Sequence, residues 1–292
     1  MALAGASALA AALASAQMVG HGMAPPARPL HARLALADAV ALGTVERVEL
    51  GRIAVMDARA WRGAPGPRFE VKRAPSQAPE LRVGDRVLWL LRGARSPYVL
   101  LDEPRELLVI DPARAALVED ALARLLEAGD DASRRAAYLD WIDGEDAGLR
   151  AIALRALADR AAGGVPRETS LERARIALDP SRPEAVRLAS ASLASQHREG
   201  LALLYAGIAR PDAAPPVVGI SLGLGVLGQD PAVTDAVLAA LSHPNPEVRR
   251  AALGPAKGVI TDPRVRRAVE AALDEVDPEL RRNLETTLDV VH

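Results

Sequence analysis

The strongest catalytic pattern in the chain is a serine flanked by two glycines. Gly219-Ile-Ser221-Leu-Gly223 matches G-x-S-x-G, in which a nucleophilic serine occupies a strained strand-to-helix turn. Such a serine needs an acid and then a histidine later in the chain, and Asp230 or Asp235 and then His243 follow in that order. Only about 70 residues follow the motif, and they show no strand pattern that could build the required sheet. We therefore predict that Ser221 lies in a helix, and keep a serine hydrolase as the alternative.

A second glycine pattern overlaps the first. Gly223-Leu-Gly-Val-Leu-Gly228 matches the G-x-G-x-x-G of dinucleotide sites, and Glu247 lies near the distance expected for a ribose-binding acid. That motif needs a strand before it and a helix that begins within it. Here the next helix is capped by Asp230, after the last glycine, so the pattern favours a helix that ends in glycine.

Metal-binding residue types are sparse. The chain has no cysteine, which excludes disulfides and thiolate ligands, and no two histidines stand at ligand spacing on one helix. The histidines are His21, His31, His197, His243 and His292. Cleavage before His21 would create an amino-terminal copper ligand with His31 as a second one, but the cleavage pattern described below fits another position. We predict no metal site and no cofactor.

Composition favours helices and argues against nucleic acid. Half of the chain is apolar but only 2% is aromatic, and small aliphatic residues suit closely stacked helices. Residues 28–110 carry 14 Lys+Arg against 10 Asp+Glu, and residues 111–292 carry 22 against 28. Neither part has the concentrated basic charge that a nucleic-acid interface needs. We predict another protein as the partner, and no nucleic acid.

The amino terminus has the pattern of an export signal. Residues 1–16 form an apolar run that ends in Ala14-Ser15-Ala16, a small-x-small cleavage site, although no Lys or Arg precedes it. This run is short for a membrane span. Residues 17–37 contain Gly20, Pro25 and other helix breakers, which predict a linker. We expect an exported protein, periplasmic or extracellular, without a transmembrane segment in the mature chain.

Residues 38–110 have the two-residue period of strands. Apolar residues alternate with polar ones from Arg52 to Trp61, and Val87-Leu-Trp-Leu-Leu91 is apolar enough to be buried on both faces. Five to six short strands in about 75 residues predict a small barrel or sandwich. Their order and the turn at Val83-Gly-Asp-Arg86 resemble the OB-type barrel of netrin and tissue-inhibitor modules, which implies the fold and no activity.

Residues 111–292 change to a helical pattern with a period of about 32 residues. Arg187, Gly219, Arg249 and Arg281 follow one another in steps of 32, 30 and 32, and each lies in the same proline-led pattern. A period of this size predicts a stack of helix pairs, an α-solenoid. Several of the helices should begin at an Asp or Asn followed by proline. These pairs are Asp111-Pro112, Asp230-Pro231, Asn245-Pro246, Asp262-Pro263 and Asp277-Pro278.

Two of these segments resemble a known repeat family. Asn245-Pro-Glu-Val-Arg-Arg-Ala-Ala-Leu253 and Asp277-Pro-Glu-Leu-Arg-Arg282 are similar to HEAT and PBS-lyase-like HEAT repeats, over about half of the chain. The resemblance implies that a loop acid and a helix arginine tie neighbouring repeats, with Asp277, Arg249 and Arg281 as candidates. Gly219 departs from the pattern and should leave its tie unmade. The fold class is therefore α+β, an antiparallel OB-like barrel followed by an all-α HEAT-like solenoid.

The function that this organisation favours is non-enzymatic protein binding, because a solenoid offers an extended surface rather than a convergent pocket. The candidate site for partner binding is a basic strip formed by Arg250, Lys257 and Arg282. On the helix that begins at Pro246, helical spacing should bury Val248, Ala251 and Ala252 and leave Glu247 exposed beside this strip. The alternatives are the hydrolase built on Ser221 and a HEAT-type lyase relative.

Processing is directly testable. Cleavage after Ala16 should give a mature protein that begins at Gln17, because Ala14-Ser15-Ala16 ends the apolar run. Amino-terminal sequencing of the native protein measures this. An intact Met1 on protein from the cytoplasm would contradict export.

Overall fold

The computed structural model of the chain describes residues 30–72, 81–101, 108–158 and 164–272. The predicted signal sequence, residues 1–16, and the first part of the predicted linker, residues 17–29, lie outside them. So do Asp277, Arg281 and Arg282. The architecture is the one that the sequence predicts: a small barrel and then an all-helical part, with the change from strands to helices at Asp111.

The described residues contain six strands, five of which close a barrel. They are β1 Ala39–Glu49, β2 Arg52–Arg62, β3 Phe69–Lys72, β4 Arg86–Arg92, β5 Tyr98–Leu100 and β6 Leu108–Ile110. The pairings run β1-β2-β3-β5-β4, and β4 pairs again with β1, so five strands close a ring while β6 extends along β4. All pairs are antiparallel except β3 and β5, which are parallel. A closed five-stranded barrel of this size is OB-like.

Aromatic rings fill the barrel. Phe69 lies edge-on to both Trp89 and Tyr98, with ring centroids 6.4 and 5.6 Å apart. The indole N–H of Trp89 donates to the Gly43 carbonyl at 3.3 Å, which satisfies the polar atom of a buried ring. Alternate residues of β4 point into this core, and Leu88 and Leu90 on its other face are buried as well. The prediction that this strand is buried on both faces is confirmed.

A short helix precedes the barrel, inside the segment that the sequence predicts as a linker. Helix α1, Leu30–Leu36, buries Leu30 and Leu34, which are one helical turn apart. The backbone N–H of His31 donates to the Tyr138 hydroxyl at 3.1 Å, and the rings of the two residues lie against each other. Burial raises the pKa of Tyr138 to about 12, partly opposed by this hydrogen bond. The helix breakers end at Pro29, so they do not reach α1.

Ten further helices follow among the described residues. They are α2 Ala115–Glu127, α3 Asp131–Asp143, α4 Ala147–Ala158, α5 Arg167–Leu178, α6 Glu184–Ala194, α7 Arg198–Ile208, α8 Pro215–Leu227, α9 Val233–Leu241, α10 Pro246–Ala256 and α11 Pro263–Ala272. Short 3-10 turns lie at Pro112–Arg114 and Lys257–Val259.

Two of the predicted acid-proline starts are confirmed, because α10 begins at Pro246 and α11 at Pro263. The other two described pairs lie in turns before their helices: Pro112 begins a 3-10 turn, and α9 begins at Val233 with Ala232 as its N-cap. At Asp111, Asp230, Asn245 and Asp262 the side-chain oxygen accepts the backbone N–H two residues later, at 2.8–2.9 Å. At Asn245 and Asp262 this bond satisfies one of the free amides at a helix start. The prediction for Asp277 lies outside the described residues.

Contacts divide the chain into two compact units. The first contains the barrel with α1, α2 and most of α3 and α4, and the second contains α5–α11 with residues 142–145. In the first unit, Glu119 of α2 lies between two barrel arginines, with its carboxylate 2.6 Å from Arg86 and 3.2 Å from Arg59. The first helices after Asp111 therefore pack with the barrel.

The second unit is built from consecutive helical hairpins, α5–α6, α7–α8 and α9–α10, followed by α11. Helices α6, α8 and α10 pack side by side in one layer, and α5, α7, α9 and α11 pack side by side in the other. Val233, Val237, Val248 and Ala252 lie in the apolar core that joins the later helices. The helices whose sequences carry the proline-led pattern thus share one layer.

Candidate partner-binding surface

Helix α10 positions two members of the predicted basic strip. Val248 and Ala252 are fully buried and Ala251 is half-buried, as helical spacing predicts. Arg250 points to solvent on the opposite side of the helix. Pro255 lies one residue before the end of α10, and the chain continues as the 3-10 turn that begins at Lys257, as expected for a proline that cannot continue the helical hydrogen bonds.

The strip carries less free positive charge than the sequence suggests. Arg250 is 48% exposed and its Nη1 lies 2.9 Å from Oε1 of Glu247, one turn earlier on the same helix. An exposed pair of this kind contributes about 0–1 kcal/mol, so a partner carboxylate can replace it at little cost. Lys257 is half-exposed and forms no ion pair with any described residue. Arg282 lies outside the described residues.

Helix α8 lies beside α10 and presents an uncharged surface. Its thirteen residues contain no charged side chain. Pro216, Ile220, Gly223 and Leu227 recur at helical spacing. Pro216 and Leu227 are exposed, Leu227 by 62%, whereas Gly223 is half-buried and Ile220 is half-buried against a neighbouring apolar cluster. Together with Arg250, Gly254 and Lys257 of the neighbouring helix and turn, these residues form what we call the α8–α10 face.

Two glycines of this face have no structural need to be glycine. A Cβ at Gly223 or Gly254 would meet no atom within 4 Å, and both residues have helical backbone angles. Gly200 differs, because a Cβ there would lie 2.2 Å from the Ala194 carbonyl oxygen. Gly200 therefore permits helix packing, whereas Gly223 and Gly254 leave the α8–α10 face flat.

Ser221 lies within helix α8, as predicted. The side chain is 1% exposed and its hydroxyl donates to the Val217 carbonyl, one turn earlier, at 2.7 Å. The cleft beside it measures about 10 Å³, room for about one water molecule. A nucleophile elbow needs a serine exposed at a strand-to-helix turn, which this position does not provide.

The acid and histidine candidates of the hydrolase alternative make other bonds. The ring of His243 bonds only to backbone groups among the described residues, through Nε2 to Arg210 and through Nδ1 to Asn245. Asp235 pairs with Arg264 at 3.2 Å, and Asp230 accepts the amide of Ala232. The structure does not bring them together around Ser221.

The dinucleotide pattern also falls inside α8. Gly225 lies against Tyr205, where a Cβ would collide with the phenol oxygen, and Gly228 is the C-cap. The prediction of a helix ending in glycine is confirmed, but the left-handed position is Gln229, with φ 52°, and not Gly228. Glu247, the expected ribose-binding acid, lies at the start of α10 and pairs with Arg250.

The helix arginines bind carbonyls at the turns. Nε of Arg187 donates to the Ala177 carbonyl at 2.9 Å, and Nη1 of Arg249 donates to the His243 and Pro244 carbonyls at 2.8 and 3.0 Å. The resemblance implies a tie to a loop acid instead. For Arg249 the implied acid, Asp277, is outside the described residues, so that tie stays a prediction.

Consecutive turns are joined by side-chain hydrogen bonds to backbone carbonyls, which the sequence does not predict. Nη1 of Arg210 donates to the Leu178 carbonyl, His243 Nε2 bonds to the Arg210 carbonyl, and His197 Nε2 bonds to the Val165 carbonyl. Their sequence separations are 32, 33 and 32 residues, close to the sequence period. Because the acceptors are backbone carbonyls, residue types gave no indication of these bonds.

The barrel offers a cleft at one end. It measures about 350 Å³ and is lined by Asp38, Ala39, Gly63, Ala64, Gly93, Ala94 and Tyr98. The Asp38 carboxylate already accepts the Gly93 amide at 2.9 Å. The lining is otherwise small side chains and backbone, with no pair of groups placed for acid-base chemistry.

No metal cluster is found in the parts of the chain that the structure describes. His31, the second ligand of the copper alternative, has its Nδ1 3.2 Å from the Tyr138 hydroxyl, and His21 lies outside those parts. None of the described helices combines the length and apolar character needed to cross a membrane.

Comparison with known proteins finds no matching family model, no matching curated protein and no matching solved structure.

Two glycine substitutions test how the α8–α10 face is built. Gly223→Ala should raise the free energy of unfolding by about 0.5–1 kcal/mol, because alanine favours a helix and meets no neighbour. Gly200→Ala should lower it by about 1–3 kcal/mol through overpacking against the Ala194 carbonyl. Urea denaturation of the full chain, followed by circular dichroism, measures both. A destabilising Gly223→Ala would show that α8 is covered at this position.

Proposed function

We propose that this protein is an exported, non-enzymatic binding protein that uses a HEAT-type helical array to hold another protein. The observation that carries the proposal is the α8–α10 face. Two neighbouring helices of one layer present an uncharged stripe beside two basic side chains, and Pro216 and Leu227 of the stripe are exposed among the described residues. Exposed apolar surface rimmed by polar groups is typical of an interaction site.

The arrangement of the second unit supports a HEAT-type array. Helices alternate between two layers, and the turn links connect residues about 32 apart. An array of this kind stacks each hairpin on its neighbours and so presents an extended surface to a partner.

Binding accounts for the surface better than catalysis does. Ser221 is buried and engaged with its own helix, so the hydrolase alternative lacks an exposed nucleophile at this motif. The lyase alternative rests on the family resemblance and has no residue to support it. Export rests on the amino-terminal sequence, and a cell-envelope location follows from it.

The experiment compares two triple variants of the full chain as bait in the exported fraction. Arg250, Lys257 and Arg282 are each changed to Glu in the first. The matched control changes Arg175, Arg198 and Arg267 to Glu, three exposed arginines of the other layer that form no ion pair with a described residue. Folding should survive in both, and circular dichroism of each variant checks this, because exposed charges such as that of Arg250 contribute about 1 kcal/mol or less each.

The first triple variant should bind its partner at least about tenfold more weakly, because the reversed charges repel the partner. Binding of the wild type should weaken as salt is added, because salt screens the attraction between opposite charges. The control should bind as the wild type does, measured by biolayer interferometry with the captured protein. Equal affinity in all three proteins would move the binding site away from the α8–α10 face.

A further inference from the structure

His243 is a buried joint between two consecutive turns. It lies between α9 and α10 and is 4% exposed. Its Nε2 is 3.1 Å from the carbonyl oxygen of Arg210, in the turn between α7 and α8. Its Nδ1 accepts the backbone N–H of Asn245 at 3.0 Å. One imidazole ring thus connects the second hairpin of the array to the third.

These two bonds fix the protonation state of the ring. A backbone N–H can only donate, so Nδ1 of His243 must present its lone pair to Asn245. The ring is therefore neutral in this arrangement and carries its single proton on Nε2, from which it donates to the Arg210 carbonyl. A second proton would go to Nδ1 and would face the Asn245 N–H, donor against donor.

Among the described residues, the ring of His243 has no further hydrogen-bond partner that could accept this second proton. In α10, the Arg249 guanidinium donates to the carbonyl of His243 itself at 2.8 Å. In the turn before α8, the Arg210 guanidinium donates to the Leu178 carbonyl and pairs with Asp212. Asp235 of α9 pairs with Arg264. Both of these carboxylates are therefore already engaged.

We propose that His243 is an acid-sensitive joint, whose protonation breaks the bond to Asn245 and loosens the start of α10. Asn245 is the N-cap of α10, and its side chain accepts the Glu247 amide at 2.9 Å. Displacing its backbone therefore disturbs the cap as well. Since α10 carries Arg250, the loosened helix also changes the α8–α10 face, but the joint itself does not depend on the proposed function.

His197 provides a matched contrast. Its Nε2 bonds to the Val165 carbonyl at 2.8 Å, also about one period away, but its Nδ1 has no hydrogen-bond partner among the described residues. Protonation of Nδ1 leaves the Nε2–H bond in place, and the carboxylate of Glu199 is close enough to interact with the ring. Acid should therefore leave this link intact.

The sign of the effect follows from which form each state holds. The native turn holds the neutral His243 ring, because Nδ1 accepts the Asn245 N–H. The unfolded chain lacks this bond, so a proton taken up by the ring favours unfolding. Acid should therefore raise the unfolding equilibrium constant, by at most about tenfold per pH unit for one proton.

Urea denaturation of the full chain between pH 8 and pH 5, followed by helical circular dichroism, tests the joint. His243→Gln removes the titration and keeps an amide donor within reach of the Arg210 carbonyl. His197→Gln is the control. On acidification, the unfolding equilibrium constant of the wild type and of the control should rise more steeply than that of His243→Gln, by at most about tenfold per pH unit. Parallel pH curves for all three proteins would overturn the proposal.

A measurement on the unaltered chain covers the case in which His243→Gln fails to fold. Nitrogen NMR of selectively labelled histidine should show, at pH 7.5, one ring protonated at Nε2 only, with Nδ1 hydrogen-bonded to the Asn245 amide. Acid should shift that amide together with the ring. A ring protonated at Nδ1 at pH 7.5, or one that titrates while the Asn245 amide stays unchanged, would refute the joint.

Discussion

Side-chain bonds to turn carbonyls link consecutive turns of the helical array, whose helices pack on shared apolar clusters. Helices end with carbonyls that have no partner inside the helix. In the second unit some of these groups accept bonds from the turn that follows about 32 residues later, as the Leu178 carbonyl does from Arg210. The Arg210 carbonyl then accepts from His243, and the His243 carbonyl accepts from Arg249. The result is a continuous chain of bonds along one edge of the array.

This chain of bonds works together with the small residues between helices. Gly200 lets α7 approach the end of α6, and the Ser170 hydroxyl of α5 donates to the Ala194 carbonyl at the same place. Close packing of this kind fixes helix positions tightly, because a core filled to high density tolerates little displacement.

The sequence predicts what local chemistry determines. The β4 strand, the helix starts at Asn245-Pro246 and Asp262-Pro263, and the helical placement of Ser221 each depend on a few adjacent residues, and these were confirmed. The packing period also follows from local patterns, since the same short motif recurs along the chain.

Pairings between distant residues were not predictable. The parallel pairing of β3 with β5 and the bond from His31 to Tyr138, 107 residues apart, depend on how the chain closes on itself. The turn links use carbonyls that every residue has, so no residue type indicates them. Arg250 was predicted as a free cation of the candidate site because the sequence does not show whether Glu247 turns toward it. The sequence likewise does not identify the partner that we propose for the α8–α10 face.

Hydrogen exchange in Arg210→Ala, compared with the wild type, tests the turn links most directly. Asp212→Asn is its control, because it removes the local ion pair of Arg210 but keeps the donor to the Leu178 carbonyl. If the links hold the array, Arg210→Ala should speed exchange at the end of α5 and in the turn before α10, as well as in its own turn. Asp212→Asn should leave both distant sites protected. Faster exchange confined to residues 209–214 in Arg210→Ala would show that the hairpins stand without these bonds.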